Sequence, residues 1–411
     1  MAWPFRSLPN QKTSGRCWNE RRSSRNFPYP TRAIAGKPRC ALRFRPEPIW
    51  RRRHTGGMTT TSSSTLQRDW NPGDLWEGYQ ATSLLEIPEL AQATGVSKVF
   101  IKNEVERPLG NFKVLGGMVA AFKAMKRRAD AYLSSNDGAV PLPHLVCASD
   151  GNHGLAVASA AQHMGVSATV YLPACASPLR IERIRTVGGR VVLVEGTYDD
   201  AVLAARTAAS HEDGLLIPDT TSDPLDPVVL DVMRGYGQMT EELTAQFASQ
   251  GDIRPTHAFI QAGVGGLAAA VATGLQINGL APIRIVVVEP RNAACVAHAL
   301  QQGRPVRIAG SLGTTAEMLS CGLASAPALD VLLEHRARSL LVDEVELQAG
   351  PSASLATTGL ASTPSGAAGL AGFLVAAANP EKRREYGLDP NSVVLLFNTE
   401  GAVEDQKPTS H

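Results

Sequence analysis

The chain has 411 residues, 44% of them hydrophobic, enough to fill two ordinary domain cores. Its longest apolar runs, such as 285–288 and 393–397, exclude a membrane-spanning helix of about 20 residues, and six cysteines with no CxxC pair exclude a disulfide framework. The net charge of +2 hides an asymmetry: residues 1–57 hold 14 of the 40 Lys and Arg and two of the 38 Asp and Glu, leaving 26 bases against 36 acids elsewhere.

The basic segment admits three readings: a nucleic-acid arm, an organelle transit peptide, or a disordered extension ahead of a true start at Met58. Pro4, Pro9, Pro28, Pro30, Pro38, Pro46 and Pro48 break any long amphipathic helix. The third reading is preferred, with residues 59–65 as a frayed terminus. The short apolar runs predict a soluble protein, and cysteine usage a reducing compartment, taken as cytoplasmic, with Cys295 and Cys321 left able to meet in space. Neither nucleic acid nor membrane is expected as a partner.

From Trp70 onward short apolar strands alternate with alanine-rich helices. Strands are predicted over 99–102, 145–148, 168–172 and 191–194, with helices over 114–126, 155–164, 178–186 and 198–210. A second series has a helix over 233–248, a strand over 258–261, a helix over 267–275 and a strand over 285–288. Pro364-Ser365-Gly366 opens a helix over 367–378, and 393–397 is the last strand. This rhythm predicts an α/β fold with two lobes of parallel twisted sheet, helices on both faces, and a ligand in the cleft beyond strand C-terminal ends. The lobes are expected over 58–102 with 216–411 (the larger) and over 103–215 (the smaller).

Four segments carry candidate chemistry. In LGNFKVLGG, Lys113 is either an exposed helix-start lysine or a Schiff-base lysine whose pKa falls on desolvation. In ASDGNHGLAVA, Gly151 and Gly154 allow a tight turn, Asn152 offers a donor and acceptors, and Asp150 is a helix N-cap or a functional acid. In QAGVGGLAAAV, Gly263, Val264, Gly265 and Gly266 form a turn between strand and helix that suits a phosphate. It is not a G-x-G-x-x-G turn, because Ala268 holds the third glycine position. In VVLLFNTEG, Thr399 puts a hydroxyl at the end of a buried strand.

Taken together, lysine, Asn-His-Gly, glycine turn and late hydroxyl resemble the serine/threonine dehydratase family of tryptophan-synthase-β-like (fold type II) enzymes over residues 82–404. The resemblance implies pyridoxal 5′-phosphate as cofactor. Lys113 would then form the Schiff base, Asn152 contact the 3′ oxygen, and residues 263–266 hold the phosphate. Thr399 would face the pyridine nitrogen, with Ser365 a second candidate. Ser149, Asp150, Gly151 and His153 would line the substrate. The acid in DGNHG, FKVLGG, the YDD of 198–200, the PDT of 218–220, QAGVGG and FNTEG are most similar to diaminopropionate ammonia-lyases.

An acid at position 150 also has its own physical case, since 2,3-diaminopropionate carries an ammonium on Cβ where serine carries a neutral hydroxyl. The resemblance implies that Lys113 takes the α-proton of one enantiomer and Asp150 that of the other. Asp219 adds a second carboxylate, and the cofactor ring acts as electron sink. Three departures concern the substrate wall: PLGNFK is one residue short, Thr363-Pro364-Ser365-Gly366 lacks an expected acid, and the ending reads TEGAVED. Alternatives are a serine/threonine dehydratase, a β-replacement enzyme, or a non-catalytic cofactor-binding paralogue. The resemblance further implies a homodimer acting on a small amino acid. No metal site is expected, since the nine histidines show no HxH or HExxH spacing.

Overall fold

The computed structural model describes Leu75 and residues 78–402, apart from 136–139 and 212–213. The basic segment 1–57 and the expected start at Met58 lie outside the described residues. The chain opens with β1 (Leu84–Glu86), α1 (Pro88–Thr94) and β2 (Lys98–Asn103). It continues through α2 (Lys113–Leu133), β3 (Leu145–Ala148), α3 (Asn152–Met164), β4 (Ala168–Pro173), α4 (Pro178–Thr186), β5 (Arg190–Val194), α5 (Tyr198–His211) and β6 (Leu215–Leu216). Next come α6 (Pro227–Tyr236), α7 (Gln238–Ser249), β7 (His257–Gln261), α8 (Gly266–Ile277), β8 (Arg284–Pro290) and α9 (Cys295–Gln302). The last elements are α10 (Ala326–Glu334), β9 (Arg338–Val342), α11 (Glu344–Thr358), α12 (Ala368–Ala378), α13 (Pro380–Tyr386) and β10 (Val393–Asn398).

The single helix expected over 233–248 is two helices. Asp226 starts the first by accepting from the Val228 and Val229 amides at 2.9 and 3.2 Å. Pro227 fits there because a first-turn residue needs no N–H. Gly237 separates that helix from the second.

Strand order turns the chain's rhythm into a site. One sheet runs β1-β2-β10-β7-β8-β9, and the other β5-β4-β3-β6. Every pairing except β1 with β2 is parallel. In the second sheet β4 and β5 lie on one side of β3 and β6 on the other, so the order reverses at β3. In the first, β8 and β9 lie on one side of β7 and β10 on the other. Loops leaving such strands part in opposite directions and open a crevice at their C-terminal ends. The four loops concerned begin at Ser149, Ile217, Ala262 and Thr399. Central strands such as β7 and β10 are buried on both faces, which explains their continuous apolar runs. No helix among the described residues is long and apolar enough to cross a membrane.

Candidate active site

Lys113 is the first residue of α2, and its position is fixed from both directions. Ahead of it, Leu109 takes a left-handed φ of 70°, a conformation costing a side chain about 1 kcal/mol. Hydrogen bonds hold that loop. The Leu109 carbonyl accepts from Asn111 Nδ2 at 2.8 Å and Arg183 Nη2 at 2.6 Å. The Phe112 amide donates to Thr399 O, and the Gly401 amide to Gly110 O. The shortened PLGNFK segment is thus clamped to the exit of β10.

Behind Lys113, the glycine pair seats the helix. A Cβ on Gly116 would lie 2.5 Å from Tyr236 Cε1 and 2.7 Å from Val232 O. One on Gly117 would lie 2.6 Å from Ala156 Cβ. These glycines let α2 approach α6 and α3 closely, which aims the lysine.

Lys113 Nζ stands 2.6 Å from Asp219 Oδ2, and the other oxygen of Asp219 accepts from the Tyr198 hydroxyl. Burial acts to lower the lysine pKa, as expected from sequence. The Asp219 carboxylate outweighs it, so the pKa is raised instead. Asp219 is the mirror case: burial works against its charge, and the Lys113 ammonium holds it well below the usual carboxylate range. The rings of Phe112 and Tyr236 lie 5.6 and 5.9 Å from Nζ.

The loop after β3 is shaped by Ser149, whose Oγ accepts from the Gly151 and Gly154 amides, both at 2.8 Å. That leaves the capping role open to Asp150 unfilled by it. Asp150 is half-buried and makes no hydrogen bond or ion pair to a described residue. Burial, with Asp219 nearby, pushes its pKa well above the carboxylate range. His153 donates from Nε2 to Ile217 O at 2.8 Å, and burial lowers its pKa, leaving a neutral ring. Asn152 Nδ2 donates to the Glu400 carboxylate.

At the opposite wall, Gly265 has φ 95° and leads into α8. A Cβ on Gly263 would crowd Cys321 Sγ at 3.0 Å and Met318 O at 3.2 Å. Cys295 Sγ donates to Gly263 O at 3.2 Å. Cys295 and Cys321 are therefore both against this turn, and both are free thiols. Thr399 Oγ1 accepts from Gln261 Nε2 at 2.9 Å, and Ser365 Oγ accepts from the Met318 amide at 3.1 Å. Each hydroxyl keeps its own proton to donate.

These groups surround one cavity of about 740 Å³ including its mouth. Among the expected residues, all but Gly151 line it. Gly151 lies behind the wall, where a Cβ would be 3.0 Å from Arg180 Cδ. The lining fits pyridoxal phosphate: an amine for the aldehyde, the N-terminus of α8 for the phosphate, hydroxyl donors for a ring nitrogen.

A family model described as pyridoxal-phosphate dependent enzyme matches residues 75–398. The chain belongs to that family. It uses pyridoxal phosphate and has the fold type II architecture. The diaminopropionate ammonia-lyase of Salmonella typhimurium is 30% identical over 347 residues, 79% of this chain and 85% of that one. The human protein named serine dehydratase-like is 29% identical over 269 residues, 65% of this chain and 74% of that one. The solved diaminopropionate ammonia-lyase of Escherichia coli, in complex with an aminoacrylate–PLP azomethine intermediate, superimposes with a TM-score of 0.72. That match is 26% identical and covers 80% of this chain and 86% of that one.

Sequence reasoning passed over Tyr236, Arg180 and Glu400 as site residues. Tyr236 reads as one more apolar position of α6. Arg180 shares α4 with Arg183 and Arg185, and only its burial distinguishes it. Glu400 did carry a signal, an acid next to Thr399 at the end of a buried strand.

Proposed function

We propose that this carbon–nitrogen lyase acts on 2,3-diaminopropionate, removing ammonia by α,β-elimination to give pyruvate and a second ammonia. The observation that carries the reading is Asp150, a carboxylate in the cavity with no protein cation bonded to it. Its raised pKa records an unmet need for positive charge, and the β-ammonium of the substrate supplies it. Serine offers only a hydroxyl there.

When bound, the cofactor supplies an electron-withdrawing ring that makes the α-proton acidic. Lys113 anchors the site, and residues 263–266 at the N-terminus of α8 suit the phosphate. Asn152 is assigned to the 3′ oxygen. Thr399 or Ser365 donates toward the ring nitrogen. The Asn152 and His153 amides, which α3 cannot satisfy internally, suit the substrate carboxylate. Lys113 and Asp150 are two proton acceptors, one for each enantiomer, and burial, which raises the Asp150 pKa, makes its carboxylate a stronger base. As the Cα proton moves to its base, the Cβ–N bond breaks and its electron pair leaves with ammonia. Since the β-nitrogen is already protonated, no further acid is required. The released enamine hydrolyses in water. Asp219, held by Tyr198, keeps Lys113 placed. The residues from 103 to 215 would form the smaller lobe closing on the substrate.

The test is incubation of the purified holoprotein with racemic 2,3-diaminopropionate, serine and threonine, with pyruvate or 2-oxobutyrate and ammonia quantified. Two ammonia per pyruvate from diaminopropionate, with slower turnover of the hydroxy amino acids, is expected. Turnover confined to serine or threonine would overturn the assignment.

A further inference from the structure

Glu400 is among the most enclosed charges of the chain, its side chain 4% exposed. Both of its oxygens are fully engaged. Oε2 accepts from Asn152 Nδ2 and, at 3.3 Å, from Arg180 Nη1. Oε1 accepts from Arg180 Nη2 at 3.0 Å and from the Thr363 hydroxyl. These donors come from three separate segments, the start of α3, α4 and the turn ahead of α12, and meet Glu400 at the exit of β10. A buried ion pair is tolerable only when its remaining hydrogen-bonding capacity is met, and here it is.

We infer that Glu400, held by Arg180, is a positioning residue that fixes the Asn152 carboxamide and thereby sets the protonation of the bound cofactor. An ionised carboxylate only accepts, so the Asn152 amide must turn its nitrogen toward Glu400. That choice fixes where Oδ1 and the second N–H point. An amide polarised by a neighbouring anion, itself balanced by a guanidinium, presents a defined donor to an oxygen of the cofactor. Arg180 also supports the adjoining loop: its side chain backs Gly151, and its Nε lies 3.6 Å from Glu317. The inference rests on the assignment of Asn152 to the cofactor made above.

Glu400→Gln is a demanding substitution despite its shape. The new amide nitrogen must face one pair of donors. Thr363 can rotate to accept, but Arg180 Nη2 cannot, and the guanidinium loses its counter-charge.

The experiment titrates cofactor-free protein with pyridoxal phosphate, following the visible band and its pH dependence. The proteins are wild type, Glu400→Gln, Asn152→Ala and the double variant. Each single variant is expected to weaken cofactor binding about tenfold, the loss of one charge-assisted hydrogen bond. Both should move the midpoint of the band's pH titration in the same direction, and the double variant should be no worse than Asn152→Ala alone. Wild-type behaviour of Glu400→Gln, or losses that multiply in the double variant, would overturn the inference while sparing the Asn152 assignment. A silent Asn152→Ala would remove both. If circular dichroism finds Glu400→Gln unfolded, Arg180→Lys replaces it, and its effect must likewise vanish in the Asn152→Ala background.

Discussion

Replacing Asp150 with asparagine removes a charge and almost no volume, so it isolates the electrostatic part of substrate choice. Two unit charges about 4 Å apart attract by about 4 kcal/mol at an effective dielectric of 20. Two features reduce that figure here. Arg180 and Lys113 already lower the Asp150 pKa partway, against burial and Asp219. The substrate ammonium also gives up water on entry. A net loss of about 2 to 3 kcal/mol remains, or roughly 30- to 150-fold in kcat/KM for diaminopropionate. Serine has no charge to lose, so its kcat/KM should change by less than about threefold when Lys113 is the base. The assay is pyruvate release from each substrate, as L and D enantiomers, with parent and variant side by side. Because the Asp150 pKa is raised, kcat/KM for diaminopropionate in the parent should climb with pH above the usual carboxylate range, and the variant should lack that limb. Equal losses on both substrates would refute the reasoning, since the acid would then be serving something common to both.

Asp219→Asn should lower the stability of the cofactor-free protein by about 2 kcal/mol, because Lys113 loses its counter-charge. Asp219 is depressed and contributes above its unfolded pKa, whereas Lys113 is raised and contributes below its own, so the deficit should be flat from about pH 5 to 9 in urea titrations. Gly116→Ala sets a methyl 2.5 Å from Tyr236 Cε1, so thermal unfolding should report a loss of about 2 to 3 kcal/mol and cofactor affinity should fall as the lysine shifts. Glu289 is buried between the Val296 and Ala297 amides and the Ser339 hydroxyl, and burial pushes its pKa up to about 8. A carboxyl raised in the folded state gives stability below its unfolded pKa that is lost as pH rises through the folded one. Glu289→Gln should therefore flatten a decline in urea midpoint between about pH 5 and 8; an unchanged slope would assign that decline to other groups.

The parts of the fold legible in the sequence were those bounded by sharp local signals. The strand before Ser149 and the helix from Pro178 to Thr186 occur with the ends expected of them. The helix after Lys113 runs on to Leu133 because residues 127–133 contain no breaker. The stretch between β8 and α12 gave little, since α9, α10 and α11 are short or weakly patterned and β9 has an exposed first residue. At the site, three of the four segments were visible because each joins a strand or loop to a helix, and the fourth because a hydroxyl and an acid follow a buried apolar strand. What joins them was not. Lys113 meets Asp219 across 106 residues and Arg180 meets Glu400 across 220. No local pattern encodes such pairings, and the raised rather than lowered lysine pKa follows directly from one of them.

The place of β10 has a consequence for synthesis. It fills the slot between β2 and β7, with Val393 opposite Lys98. A ribosome adding about 5 to 20 residues per second delivers the filling strand roughly 15 to 60 seconds after the edge it must join. Until then the larger sheet exists as two unjoined pieces with exposed strand edges. The turn at Thr399 and Glu400, which clamps the lysine loop, arrives only after β10. Cofactor capture should thus await β10 and the turn after it, and a nascent chain halted before β10 should show no visible cofactor band.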